Sequence, residues 1–239
     1  MSNDDDDAER TARLKEEGRR SARALQSRFE SEGNAEGWFD ALYREAGRER
    51  ARVPWADAAP RFKLEEWLSR HPGVGQPALD VGCGLGDNAR CLAEAGYQVT
   101  GFDLSEAAVG WAQERHQGAG IAFRQGDLLD PPAEWIGAFP LVHETYNLQA
   151  MPREMHAAAM LQLARLVAPG GMLIVITRIR EADEVAVGPP WPAPAHRSRP
   201  ALCRRPRRVP CGDFRRPAIE PDPPSAGRLS QAGGLVERI

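Results

Sequence analysis

A mostly parallel, doubly wound α/β sheet is the fold this sequence predicts, on three observations. From Pro77 onward short apolar segments alternate with helical ones, and a glycine-rich turn joins the first apolar segment to the first of those helices. The 239 residues suffice for one full hydrophobic core and not for two large ones.

Taken in order, residues 1–37 read as an acidic, partly disordered helical N-terminus. The run Asp4–Asp7 reads as a solvated tail that favours the positive end of the following helix. Residues 8–50 are rich in Ala, Arg, Glu and Leu, with spaced anchors at Leu14, Leu25, Phe29, Trp38, Phe39 and Leu42, the pattern of largely exposed helices. The main domain is placed at 38–191, with its core at 78–178. Within it "ALDV", "QVTGF", "IAFRQ", "FPLVHE" and "GMLIVIT" are the expected strands, and 87–95, 105–115 and 153–167 the crossover helices. Ser105 and Pro152 suit helix starts, while Gly96 and the turn Pro169-Gly170-Gly171 suit helix ends.

Residues 192–239 change character. From Ala193 to Ile239 there are ten arginines, no lysine and four acids, a net +6 that leaves −9 for residues 1–192. Repeated prolines and few spaced apolar residues predict a disordered, low-complexity Arg/Pro-rich tail. The sheet is accordingly expected to end at its fifth strand, with that edge open.

With 42% hydrophobic and 27% charged residues and a net charge of −3, the composition is that of a globular protein with no overall attraction for nucleic acid or anionic lipid. No apolar run is long enough to span a membrane, and the acidic start is unlike a secretory signal, so a cytoplasmic location is expected. Cys83, Cys91, Cys203 and Cys211 form no CxxC spacing, so no metal site is expected.

The sharpest local signal is Leu79-Asp80-Val81-Gly82-Cys83-Gly84-Leu85-Gly86-Asp87-Asn88, a strand running through a glycine loop into a helix. Dinucleotide-binding folds of Rossmann type place GxGxxG here, but Gly86 comes only two residues after Gly84, and Asp87 stands where the last small residue belongs. Asp80 and Asp87 on either side of the loop disfavour an anionic pyrophosphate. S-adenosylmethionine has no phosphate and carries a sulfonium and an ammonium, so it matches an acid-flanked loop. Asp103, closing the second strand, is placed to accept both hydroxyls of a ribose. Asp127, after the third, is placed to accept from an adenine amino group, with the Leu128 N–H offered to a ring nitrogen.

Residues 78–178 thereby resemble the class I S-adenosylmethionine-dependent methyltransferases, a Rossmann-like family, most closely in "ALDVGCGLGDNARCLAEAGYQVTGFDLS". The resemblance implies Gly82, Gly84 and Gly86 beneath the cofactor, Asp80 near its methionine part, Asp103 with Leu104 at the ribose, and Asp127 with Leu128 at the adenine. Residues 38–68 resemble the lead-in segment of thiopurine-methyltransferase-like small-molecule enzymes, which implies Trp55 beside the cofactor or substrate. A packing role for Trp55 stays open. Against the family pattern, the text after "GPPWP" offers no further helix and strands, as though the C-terminus were disrupted.

The fourth strand ends in "LVHETYNLQAMP" at the switch-point edge, which nominates Glu144 and Tyr146 for the methyl-transfer position. Alternation sends His143 to the opposite face from Glu144, where it reads as a packed histidine, with general base as the alternative. In-line transfer demands positioning above all, and a soft nucleophile needs little base catalysis, so the lack of an evident base does not argue against activity. It leaves sulfur, nitrogen, oxygen and metalloid acceptors open, with a small molecule carrying a thiol, metalloid or similar soft nucleophile as the favoured expectation. A cofactor-binding pseudoenzyme is the alternative function. A nucleic-acid methyltransferase using the arginine-rich tail as its arm is a further, weaker one.

Overall fold

The computed structural model describes residues 3–34, 36–56, 62–180, 193–194 and 232–238. Five parallel strands form the centre in the order β3-β2-β1-β4-β5: β1 (Pro77–Val81), β2 (Gln98–Asp103), β3 (Ala122–Gln125), β4 (Phe139–Thr145) and β5 (Val167–Arg180). Crossover helices α4 (Asp87–Glu94), α5 (Glu106–Arg115) and α6 (His156–Leu166) follow β1, β2 and β4, as the alternation of segments predicts. This is a Rossmann-like, doubly wound fold. Strand order reverses beside β1, between β2 and β4, and this is where an open α/β sheet leaves a crevice at its carboxyl edge.

Strand alternation builds two cores. Ala78, Leu141 and Ile174 face α4 and α5 together with Leu64 and Leu68, whereas Leu79, Val142 and Leu173 face Leu163 and Leu166 of α6. Ser105 caps α5 by accepting from Ala108 N at 3.0 Å. The expected turn at Pro169–Gly171 lies inside β5. It is a looped-out irregularity there, since Phe139 pairs with Val167 but Leu141 pairs with Met172.

The N-terminal residues form α1 (Asn3–Ser31), α2 (Gly37–Ala46) and, after the lead-in, α3 (Phe62–Leu68). Where partial disorder is expected from the sequence, α1 is unbroken. Leu14 and Leu25 are buried along it, and Gly18 crosses so close to the Arg52 backbone that a Cβ there would overlap its carbonyl oxygen. Helix α2 is fastened to the sheet domain by Asp40, whose Oδ1 accepts from Ser105 Oγ at 2.8 Å and from Ala107 N at 3.0 Å.

The tail requires a correction. Residues 193–194 form a short bridge, β6 (Ala193–Pro194), parallel to Ile179–Arg180, and residues 232–238 form β7 (Ala232–Arg238), antiparallel to Met172–Arg178. The edge of β5 is therefore covered, contrary to the expectation of a disordered tail and an open fifth strand. Arginine and proline crowd residues 197–217, but "AGGLVER" is free of proline and carries the β-branched Val236, so the composition of the whole tail misrepresents its last segment. The remainder of the tail lies outside the described residues.

Candidate active site at the carboxyl edge of the sheet

The loop between β1 and α4 is bent by three glycines with positive φ: Gly82 at 59°, Gly84 at 51° and Gly86 at 80°. Side chains at these positions would be strained, and two would also collide. A Cβ on Gly82 would overlap the Asn147 side chain, and one on Gly86 would lie 2.8 Å from His116 and Phe123. The loop is thus a bare backbone ledge in front of β1.

Three acids stand at the ends of adjacent strands around it. Asp80, in β1, is 1% exposed; its Oδ1 is bonded to His143 Nδ1 at 2.7 Å, and its Oδ2 is buried without a protein partner. Asp103, ending β2, ties two backbone segments together, with Oδ2 accepting from Gly84 N and Oδ1 from Ser105 N, each at 2.9 Å. Its carboxyl is raised above the ordinary value, by burial first and then by Asp80 and Asp40, against the lowering effect of those two N–H groups. Each oxygen keeps lone-pair capacity for a further donor. Asp127, after β3, accepts from Leu129 N at 2.7 Å; Leu128 beside it is buried, whereas Leu104 is 39% exposed.

Aromatic residues of the lead-in cover the ledge. Tyr43 of α2 brings its hydroxyl to 3.0 Å from where a Gly84 Cβ would stand, and that hydroxyl accepts from Trp55 Nε1 at 2.8 Å. Trp55 packs edge-on to Trp38, Phe39 and Tyr43. Trp55 therefore reaches the glycine loop through Tyr43, a residue the sequence reading missed. Its only sequence signal is its place on the buried face of α2 with Trp38 and Leu42.

Asp87 calls for a second correction. It is clasped by Arg50 at 2.7 Å and Arg115 at 2.9 Å, so it does not present an uncompensated negative charge at the helix start. The arginines are 37 and 28 residues away in sequence, beyond any local motif. The acid character of the crevice rests on Asp80, Asp103 and Asp127.

At the end of β4, His143 and Glu144 do face opposite ways, and both are 0% exposed. Glu144 Oε1 accepts from Asn147 N at 2.5 Å and Leu148 N at 3.1 Å, fixing the turn that follows the strand, while its Oε2 is buried without a partner. Burial pushes this carboxyl up to about 7, despite those N–H groups and the nearby His143. Glu144 thus sits beneath the rim. Tyr146 is at the rim, half-buried, with φ of 67°, a left-handed conformation uncommon outside glycine and a mark of a constrained turn. His143 is not simply packed: its Nε2 lies 2.8 Å from Thr145 Oγ1, so both ring nitrogens have polar partners. Asn147 Nδ2 donates to Val81 O at 2.8 Å, joining this turn to the start of the glycine loop.

Residues 78–171 match the methyltransferase-domain family. That segment holds the glycine loop, the three acids and the end of β4. The chain is 33% identical over 134 residues to a ubiquinone biosynthesis O-methyltransferase of Aromatoleum aromaticum, covering 52% of this chain and 56% of that protein. It is 27% identical over 175 residues to a 2-heptyl-1-hydroxyquinolin-4(1H)-one methyltransferase of Mycobacteroides abscessus, covering 71% and 74%. The chain thus spans little more than half the length of the first of these relatives. Among solved structures, it resembles one described under "Conversion of a Disulfide Bond into a Thioacetal Group during Echinomycin Biosynthesis", with a TM-score of 0.52, 30% identity and 58% of each chain covered.

Among the described residues no helix is long and apolar enough to cross a membrane.

Proposed function

We propose that the chain transfers the methyl group of S-adenosylmethionine to a small-molecule acceptor, and that the receiving atom is a hydroxyl oxygen. The observation that carries the cofactor reading is the bare glycine ledge ringed by Asp80, Asp103 and Asp127 at three adjacent strand ends. The residues fit that cofactor: the orphaned, buried Asp80 Oδ2 is an acceptor suited to the ammonium of its methionine part. Asp103 takes the ribose hydroxyls, with Leu104 beside it, and Asp127 with the Leu128 N–H takes the adenine edge. Gly82, Gly84 and Gly86 let the loop turn sharply and pack closely on Asn147, Tyr43, His116 and Phe123, so that its backbone forms the floor, and Trp55 with Tyr43 closes the ledge from the N-terminal side. When bound, the cofactor supplies an activated methyl carbon.

The chain's own task is then to hold the acceptor in line with that carbon and keep water away, an effect worth up to roughly 7–11 kcal/mol of the barrier. Tyr146 lies where an acceptor would be positioned, and Glu144 secures the turn that carries it. The oxygen acceptor is supported by relatives whose names specify O-methylation or a hydroxyquinolone. The second reading, a soft thiol or metalloid acceptor in the manner of the thiopurine-type enzymes, is favoured by the likeness to the thioacetal-forming system. The pseudoenzyme alternative rests on a missing C-terminal helix and two strands; β7 supplies one strand on that edge.

Incubating the full chain with methyl-labelled S-adenosylmethionine and either catechol or thiophenol tests the proposal. A labelled methyl ether is expected. A labelled thioether alone would replace oxygen by sulfur, and cofactor binding without any transfer would favour the pseudoenzyme.

A further inference from the structure

The end of β4 contains a hydrogen-bonded chain that runs from a buried carboxylate to the rim. Asp80 Oδ1 meets His143 Nδ1 at 2.7 Å, and His143 Nε2 meets Thr145 Oγ1 at 2.8 Å. Asp80 and His143 are sealed from solvent, while Thr145 is half-buried as the last residue of the strand. The direction of the chain follows from its members: a carboxylate only accepts, so the imidazole proton belongs on Nδ1. In the neutral ring this leaves the Nε2 lone pair to accept from the Thr145 hydroxyl. Nε2 of a fully buried histidine needs a partner, and the one it has here is a hydroxyl at the rim.

The rim in question is that of the cofactor crevice. Asn147 Nδ2 donates both to Thr145 O at 3.2 Å and to Val81 O at 2.8 Å, which holds the end of β4 against the residue that opens the glycine loop. Other titratable groups surround the relay. Glu144, on the far face of β4, feels His143; Cys83 of the loop and Asp103 of β2 feel Asp80, as does Cys91 of α4. From β5 the register neighbour of His143 is Ile174, which is apolar.

We infer that Asp80, His143 and Thr145 form a proton relay that removes the hydroxyl proton of the acceptor, with Thr145 Oγ1 as the atom that meets it. This rests on the hydroxyl-acceptor reading above. In the step, the acceptor oxygen bonds to the methyl carbon as the carbon–sulfur bond breaks and its electron pair stays on sulfur. The acceptor's O–H proton passes to Thr145 Oγ1 while the Thr145 proton passes to His143 Nε2. The products are the methyl ether, a neutral thioether and an imidazolium paired with Asp80, which returns its proton to water by way of Thr145. Thr145 is the catalytic residue in this scheme, and His143 and Asp80 position and polarise it. The arrangement has the logic of an acid-oriented histidine acting on a hydroxyl.

Two measurements on the full chain test it. Nitrogen-15 spectra of the His143 ring are expected to show a neutral imidazole protonated at Nδ1, with the Nε2 signal moved by Thr145→Val and restored by Thr145→Ser. A proton on Nε2 would overturn the relay without reference to activity. In turnover, Thr145→Val is expected to lower kcat on catechol roughly 100-fold with little change in KM. The loss should be recovered by Thr145→Ser, and should shrink above about pH 10, where a phenol ionises unaided. Thiophenol, already largely ionised near neutral pH, should be methylated almost as fast by the variant as by the parent. Equal losses on the two probes, or none on catechol, would overturn the relay. Failure of the underlying reading shows separately, as absence of labelled ether from the parent chain.

Discussion

The two halves of the sheet are held together in different ways. On the β3-β2-β1 side, most of the functional groups are placed by near neighbours in sequence: glycines bend the loop they occupy, Asp103 ends its strand and holds Ser105 N, reaching only as far as Gly84, 19 residues earlier, and Asp127 caps the turn it begins. On the β4-β5 side, the groups are placed by partners far away in the chain. His143 is oriented by Asp80, 63 residues earlier; Asn147 reaches Val81, 66 residues earlier; and β5 is covered by a strand some 60 residues later. The first half is a motif, and the second is an assembly. Each can be broken separately.

The largest effect is expected on the assembled side. Deleting residues 232–239 removes the seven-residue antiparallel ladder on β5, in which each hydrogen bond is worth about 0.5–1.5 kcal/mol net, and leaves that strand as an open edge. The expected outcome is a drop of several kcal/mol in urea stability, with aggregation. An unchanged unfolding midpoint would mean that β7 contributes nothing to the sheet.

On the motif side, Asp103→Ala should weaken S-adenosylhomocysteine binding by roughly 1.5–3 kcal/mol, about 10- to 150-fold, because two ribose hydroxyls lose a charged acceptor. The same variant also frees Gly84 N and Ser105 N, so its fold should be checked by circular dichroism. Unaltered affinity would reduce Asp103 to a turn residue.

This contrast explains what could be read from the sequence. The central strands, the glycine loop and the three acids were legible because strand period, glycine and acid spacing act over a few residues. Tyr43, the arginines on Asp87 and the Asp80–His143–Thr145 chain were not, because each depends on which strands and helices become neighbours. His143 shows the difference: alternation gave its face correctly but could not show that Asp80 faces it. The tail failed for another reason, since averaging over 47 residues hid a short strand-forming segment at its end.

A smaller effect separates the buried acid of β4 from those of the motif. Glu144 is raised by burial from 4.5 to about 7, so the folded chain retains a proton that the unfolded chain releases above about 4.5. Its contribution to stability is full below that value and is lost as pH rises through about 7. Glu144→Gln keeps an acceptor for Asn147 N and Leu148 N, and should gain roughly 1–3 kcal/mol over the parent at pH 8 and much less at pH 5. Denaturant melts at the two values check it; a gain independent of pH would mean that Glu144 does not titrate.

The smallest expected effect is at the clamp between α2 and the motif half. Asp40→Ala removes the acceptor for Ser105 Oγ and Ala107 N, at a cost of about 1 kcal/mol, with faster amide exchange at the start of α5. In the parent, Asp40 is held below its ordinary value. Burial pushes the carboxyl up, but the Ala107 N–H, Arg44 and Ser105 outweigh it, so this clamp holds above the usual carboxylate range and loosens as pH falls through the lowered value. Loss of cofactor affinity comparable to that of Asp103→Ala would show that α2 belongs to the binding edge itself.

The central claim is that a bare glycine ledge with acids at three neighbouring strand ends selects a cationic, phosphate-free nucleoside. Calorimetric titration of the full chain with S-adenosylmethionine and, separately, with NADH tests it most directly. Saturable one-to-one heat with S-adenosylmethionine and none with NADH is the predicted result; binding of NADH with no response to S-adenosylmethionine would contradict the account.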